Sequence, residues 1–335
     1  MRERITRSRI VDPKGPDPVA IGEAARILIG GGLVAFPTET VYGLGARADD
    51  PVAVRRIFEA KGRPQGNPLI VHVDTVALAR RCVASWSDQA EALADRFWPG
   101  PLTLILPRTG LIADAVTGRG PTVGVRIPAS RIALNLIAAT GHPVAAPSAN
   151  RSTRISPTRA EHVFKDLDGR IDLILDGGPC SVGLESTVLD LSAERPRILR
   201  PGSISAADLA TILGVPPELA SIDSTRGTIA PSPGLAAVHY APRHRAVRVE
   251  SDALTRVDWP ERAVLIVIGP ASPDAIPAHV ARLDLGDPAS ASRGLYTALH
   301  AADELEPDLI VVATPPDGPE WAAILDRVRR ATTPA

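Results

Sequence analysis

Short apolar runs recur down this chain and alternate with stretches of helical periodicity, which constrains the fold more than any other feature. Leu33-Val34-Ala35-Phe36 is one such run, and others lie at 68–73, 102–106, 123–127, 171–175 and 187–191. Runs of this length without polar alternation read as strands buried on both faces. Asp17-Pro18 opens a helix between them, with Asp as N-cap, Pro at the first helical position and Ile21, Ala25 and Leu28 on one face. Gly30-Gly31-Gly32 ends it. Pro51 starts a second helix with Val54, Ile57 and Phe58 inward, and further helices are expected at about 75–97, 130–140 and 157–165. Strands interleaved with helices predict an α/β fold. Strand pairs with no helix between them predict a mixed sheet. The first 16 residues read as a loose arm.

A simpler rhythm follows Ser205–Leu213, itself a short helix. Val264–Gly269, Ala281–Leu285 and Leu309–Ala313 are strands, and Leu295–Leu305 and Trp321–Val328 are helices. This predicts a small parallel, Rossmann-like unit. It has no GxGxxG turn, so nothing in its sequence supports nucleotide binding there. Between the two regions, residues 214–243 hold Pro216, Pro217, Pro231, Pro233, Gly234 and Pro242 without periodicity. A chain of 335 residues is long enough for two domains. The expected division is a catalytic domain over 17–213, a linker or lid over 214–243 and a C-terminal domain over 244–331.

The net charge of −1 gives no overall field that recruits nucleic acid or membrane. Residues 1–210 carry +4 and residues 211–335 carry −5, which hints at an anion-favouring site in the first part. Cys82 and Cys180 cannot build a disulfide framework or a thiolate zinc site, and no signal peptide or membrane span is visible. A cytoplasmic protein is expected. No P-loop, HExxH or GxSxG pattern occurs.

Candidate chemistry therefore rests on polar residues at strand ends. Only Lys14, Lys61 and Lys165 are lysines among 37 basic residues. Lysine is so scarce that Lys61-Gly62-Arg63, in a rigid loop with Pro64, Gly66 and Pro68, stands out as a phosphate or carboxylate binder. Its bland reading is a pair of cations favouring a helix C-terminus. Thr38 follows a buried strand and offers a hydroxyl. His72 and Arg126 interrupt apolar runs, and strand alternation turns Arg126 away from Val125 and Ile127. Ser148 and Asn150 follow Val144-Ala145-Ala146, Ser186 opens a strand and Arg200 closes one.

Taken in order, PTETVYGLG, KGRPQGNPLIVHV, FWPGPLTLIL, VGVRIP, PSAN, LESTVLDL and RPGSI resemble the YrdC/Sua5 family, in its two-domain Sua5 form. SPGLAAVHYAP at 232–242 resembles that form's linker, although Leu235–Val238 is more apolar than the usual pattern. The resemblance implies a twisted open α/β sheet with a concave basic face. It also implies an activity: L-threonine, bicarbonate or CO2 and ATP give threonylcarbamoyl-AMP and pyrophosphate. A transferase partner then modifies adenosine 37 of tRNA. By this resemblance Thr38, His72, Arg126 and Ser186 hold threonine, with Arg126 on its carboxylate. Lys61, Arg63, Asn67, Thr122, Ser148, Asn150 and Arg200 hold ATP, and Tyr240 covers the nucleotide. Mg²⁺ is expected on the ATP phosphates, with no protein side chain as ligand. The competing reading is a double-stranded RNA-binding protein, disfavoured by the modest charge and 3% aromatic content. A weak tRNA contact is compatible with either. The carbamoyl-transferring relative used in hydrogenase maturation would call for appended acylphosphatase and zinc-finger-like modules, and the two cysteines exclude the latter.

Overall fold

The computed structural model describes residues 5–220, 239–270 and 276–335. These residues fall into two compact units. The expected linker at 214–243 lies largely outside the described residues.

The first unit comprises 5–152, 157–181 and the described residues from 185 to 220. Its elements run β1 (Arg7–Ile10), α1 (Pro18–Ile29), β2 (Val34–Pro37), β3 (Tyr42–Arg47), α2 (Pro51–Lys61), β4 (Ile70–His72), α3 (Val76–Cys82) and α4 (Asp88–Phe97). There follow β5 (Leu102–Pro107), β6 (Thr122–Arg126), α5 (Arg131–Thr140), β7 (Val144–Ala145), α6 (Ala160–Leu167), β8 (Leu173–Asp176), β9 (Thr187–Asp190), β10 (Arg197–Arg200), α7 (Ala206–Leu213) and β11 (Glu218–Leu219). Among the described residues the strands form one sheet in the order β1-β8-β2-β3-β7-β4-β6-β5-β9-β10-β11. It is mixed. β4 lies parallel to β6 and antiparallel to β7, and β5 lies antiparallel to β6 and parallel to β9.

Two apolar layers flank the sheet. One holds Val54, Ile57 and Phe58 of α2 with Leu44, Val71 and Leu104. The other packs Ile21, Ala25 and Leu28 of α1 and Ile132, Leu136 and Ile137 of α5 against Val34, Phe36 and Leu173. Each large aliphatic side chain buried this way contributes about 1.5–3 kcal/mol relative to exposure.

Two details differ from the sequence reading. The arm is not loose throughout, because β1 pairs parallel with β8, and Arg7 and Arg9 both pair with Glu23 of α1. The helix expected at 75–97 is two helices, since Ser87 accepts from Ala90 N–H (3.2 Å) and caps a new start. The glycines of YGLG lie within β3. A Cβ on Gly45 would stand 2.7 Å from a Phe36 ring carbon, so glycine there permits close approach.

The second unit comprises 153–156, 182–184 and the described residues from 239 onward. β12 (Ala246–Val249), β13 (Ala263–Ile268), β14 (Ala281–Leu285), β15 (Leu309–Ala313) and β16 (Thr333–Pro334) form a sheet ordered β14-β13-β15-β12-β16, every pair parallel. Helices α8 (Pro288–Glu304) and α9 (Ala322–Ala331) complete it. α8 starts seven residues before the expected Leu295, because Asp287 caps it and Pro288 takes the first position.

Candidate active site

Helix α2 stops at Lys61 because Gly62 adopts a left-handed conformation (φ 60°) that ends it. The Lys61 side chain is buried and folds onto the loop after β7. Its Nζ donates to the Ser148 carbonyl (2.5 Å) and to the Asn150 carbonyl. Burial, and then the nearby Arg63 charge, hold this amine well below the ordinary lysine range, against the opposing pull of Asp166. Arg63 closes its own loop, Nε donating to Asn67 O (3.3 Å) and Nη2 to Pro68 O (3.0 Å). The Asn67 N–H turns back to Pro64 O at 3.1 Å. The PSAN loop is fixed in turn by β3, through Leu44 N–H to Pro147 O (2.7 Å) and Ala149 N–H to Tyr42 O (2.8 Å). Asn150 is buried, with Nδ2 on Arg151 O (2.9 Å). Lys61, Ser148 and Asn150 are thus brought into contact, with Arg63 and Asn67 on the adjoining loop.

The second constellation lies across β4 and β6. His72 and Arg126 are direct partners in the parallel register. Arg126 is 3% exposed, and its guanidinium is tied on three sides. Nε donates to Gly100 O (3.0 Å), Nη1 to Thr40 Oγ1 (3.0 Å) and Nη2 to Glu39 Oε1 (2.6 Å). Five N–H groups are available to an arginine. Among the described residues two remain unengaged, one on each terminal nitrogen, which suits a carboxylate. Thr38 joins through its neighbour, Oγ1 lying 2.7 Å from Thr40 Oγ1 and donating to Val41 O at 2.6 Å. Burial, and then the charge of Arg126, depress His72 to about 3, so its ring is neutral in the physiological range. Its Nδ1 has no hydrogen-bond partner among the described residues.

Ser186 and Arg200, assigned to different substrates from the sequence, are joined. Arg200 Nη2 donates to Ser186 O (3.0 Å) and Oγ (3.2 Å), and Ser186 Oγ lies 2.8 Å from Thr103 Oγ1. Gly202 makes this possible, since a Cβ there would stand 2.3 Å from the Thr187 nitrogen. Thr122 opens β6, four residues from Arg126 and so about 13 Å away along the strand. Tyr240 belongs to the second unit. It is buried there at φ 64°, edge-on to His239 (4.1 Å), with Tyr296 at 5.5 Å and the Arg327 guanidinium over its ring at 5.5 Å.

Sequence reasoning passed over Glu39, although it stands inside the quoted PTET segment. Its Oε2 accepts the Ala129 N–H (3.0 Å) while Oε1 holds Arg126. A buried carboxylate thus fixes both the guanidinium and the loop into α5. A cavity of about 830 Å³ opens beside Thr38 and Glu39, bounded by Lys14, Ser130 and Arg131. Among the described residues no group of three or more His, Cys, Asp or Glu side chains stands ready to hold a metal.

The family model described as telomere recombination (Sua5/YciO/YrdC) matches residues 26–202, and that of the threonylcarbamoyl-AMP synthase C-terminal domain matches 204–333. The chain belongs to the Sua5/YrdC family of threonylcarbamoyl-AMP synthases. It is 40% identical over 319 residues to the threonylcarbamoyl-AMP synthase of Pyrococcus abyssi, covering 92% of this chain and 93% of that one. It is 39% identical over 335 residues to the Bacillus subtilis enzyme of the same name, covering 96% and 95%. The crystal structure of P. abyssi Sua5 with L-threonine superimposes with a TM-score of 0.89 at 38% identity, covering 97% of each chain. The threonylcarbamoyl-AMP synthase family thus spans both units of the present chain.

Proposed function

We propose that this chain condenses L-threonine, CO2 or bicarbonate and ATP into threonylcarbamoyl-AMP and pyrophosphate. The observation that carries the reading is the likeness, over nearly the whole chain, to a relative whose crystal structure holds L-threonine. The geometry agrees with it. Two unused N–H groups of Arg126 suit the amino-acid carboxylate, beside a neutral imidazole at His72 and the hydroxyls of Thr38 and Ser186. Lys61 and Arg63 serve the ATP phosphates, with Asn67, Thr122, Ser148, Asn150 and Arg200 on the nucleotide.

The reaction takes two steps. The threonine amine attacks CO2 and loses one proton, giving a carbamate. A carbamate oxygen then attacks the α-phosphorus in line, the bond from that phosphorus to the bridging oxygen breaks, and pyrophosphate leaves. Positioning and cationic stabilisation of the developing phosphoryl charge carry the rate. Mg²⁺ fits as a passenger on the phosphates, since it needs few protein carboxylates; when bound it neutralises phosphate charge. Anion binding opposes the downward shift at Lys61, because phosphate oxygens favour the ammonium that burial disfavours. The product serves a transferase that modifies adenosine 37 of tRNA, in the cytoplasm. No helix among the described residues is long and apolar enough to cross a membrane.

Pyrophosphate release by the purified chain tests the reading. Release is expected only with threonine and bicarbonate together. Equal release with serine or glycine overturns the substrate, and tight double-stranded RNA binding without turnover overturns the class.

A further inference from the structure

The second unit contains a crevice that the proposed reaction does not use. In its parallel sheet β13 and β15 are neighbours, yet their onward connections diverge. β13 leads outward to β14 on one side, and β15 leads through α9 to β16 on the other. Adjacent parallel strands whose connections part in this way open a crevice at their carboxyl ends, where α/β domains bind ligands. A cavity of about 660 Å³ lies there. That volume falls within the usual range of small-molecule sites.

The lining chemistry narrows the occupant. Arg248 and Arg329 supply positive charge, and Glu250, Asp252 and Asp317 supply negative charge. Opposite charges lining one cavity ordinarily close on each other. Among the described residues none of these five forms an ion pair. Arg248 Nη1 is held by the Thr332 carbonyl (2.8 Å), and Glu250 Oε2 by the hydroxyl of buried Thr314 (2.6 Å). The fold thus keeps both signs apart and available across a single space. Ile268, Pro315 and Leu325 add an apolar wall. A purely anionic ligand would meet three carboxylates, and a purely cationic one two guanidiniums. A zwitterion satisfies both sets.

We propose that this crevice binds a small zwitterion, an L-α-amino acid. Its carboxylate is held by Arg329 and Arg248, its ammonium by Glu250 with Asp252 and Asp317, and its side chain lies on the apolar wall. The absence of a glycine-rich phosphate loop agrees with a ligand other than a dinucleotide.

Titration calorimetry on the full chain tests this with L-threonine, L-alanine and L-leucine, against propionate, propylamine and AMP as single-charge or nucleotide probes. Expected is an amino-acid binding event weakened at least tenfold by Arg329→Ala and by Glu250→Gln, with neither propionate nor propylamine binding. Both positions are solvent-exposed, so the variants should fold, and an unchanged melting temperature checks this. Turnover of threonine measured in the same variants separates this site from the first unit's. The proposal fails if no amino acid up to about 10 mM gives a heat that either substitution alters. It also fails if AMP or propionate binds the crevice in an Arg329-dependent way.

Discussion

The charged groups of the first unit's candidate site and of the second unit's crevice are handled in opposite ways. In the first unit Lys61, Arg63, Arg126 and Arg200 are nearly inaccessible, and each is tied to named oxygens. In the crevice of the second unit Arg329, Asp252 and Asp317 stand open to solvent. Burying a charge costs several kcal/mol unless partners compensate, so the first arrangement persists only where the surrounding groups hold it in place. On the function proposed above, such groups are oriented before substrate arrives, in a medium where electrostatics are strong. The open charges of the crevice are accessible to water, cost little, and suit reversible binding.

The largest effect that would break this contrast lies at Arg126. Arg126→Ala should abolish threonine-dependent pyrophosphate release. It should also lower stability by about 3–5 kcal/mol, because Glu39 is left buried without its partner. Denaturant unfolding measures this. Adding Glu39→Gln should recover part of the lost stability but none of the activity. A double variant no more stable than the single one would remove the ion pair from the account. Lys61→Met comes next. It should reduce kcat/KM by about 10²–10³, the scale of a lost charge-stabilising donor. Its stability should change far less. The Ser148 and Asn150 carbonyls lose a donor, while an ionisable group leaves the interior.

The sequence made most of the first unit's strands visible, because strands buried on both faces are wholly apolar. It hid β1, whose Arg-Ser-Arg-Ile is exposed throughout and carries no pattern. It marked Lys61 through the rarity of lysine, but gave no sign that its amine would fold back onto carbonyls 87 and 89 residues further along. Glu39 was invisible for the same reason. A glutamate beside two threonines looks like any polar loop, and its partner Arg126 lies 87 residues away. The link between Ser186 and Arg200 depends on how closely Gly202 lets two backbones approach, which spacing along the chain cannot convey. Motif order located the residues. Only through-space packing shows which of them hold one another.

A smaller effect concerns His72 and sharpens the contrast by pH. Its folded value, about 3, lies below the ordinary 6.5. Between those limits the unfolded chain binds more protons than the folded one, so stability falls as pH falls from about 6.5 towards 3. At pH 5 the His72 contribution amounts to about 2 kcal/mol of lost stability. His72→Leu should flatten that part of the profile. A residual slope should remain from His162, which burial also depresses, to about 4. A profile of unchanged steepness would mean that the ring is protonated in the folded state.

The smallest expected change is at Arg329. Its side chain is exposed and forms no ion pair among the described residues, so Arg329→Ala should alter stability by less than about 0.5 kcal/mol. It should also leave pyrophosphate release unchanged at saturating substrate. A truncation with neither effect is what separates a ligand-binding charge from a structural one, because structural charges in this chain are tied. If Arg329→Ala instead lowered the melting temperature as much as the loss of Arg126, the crevice's Arg329 would also be an internal strut. The division between a preorganised site in the first unit and an open crevice in the second would then collapse.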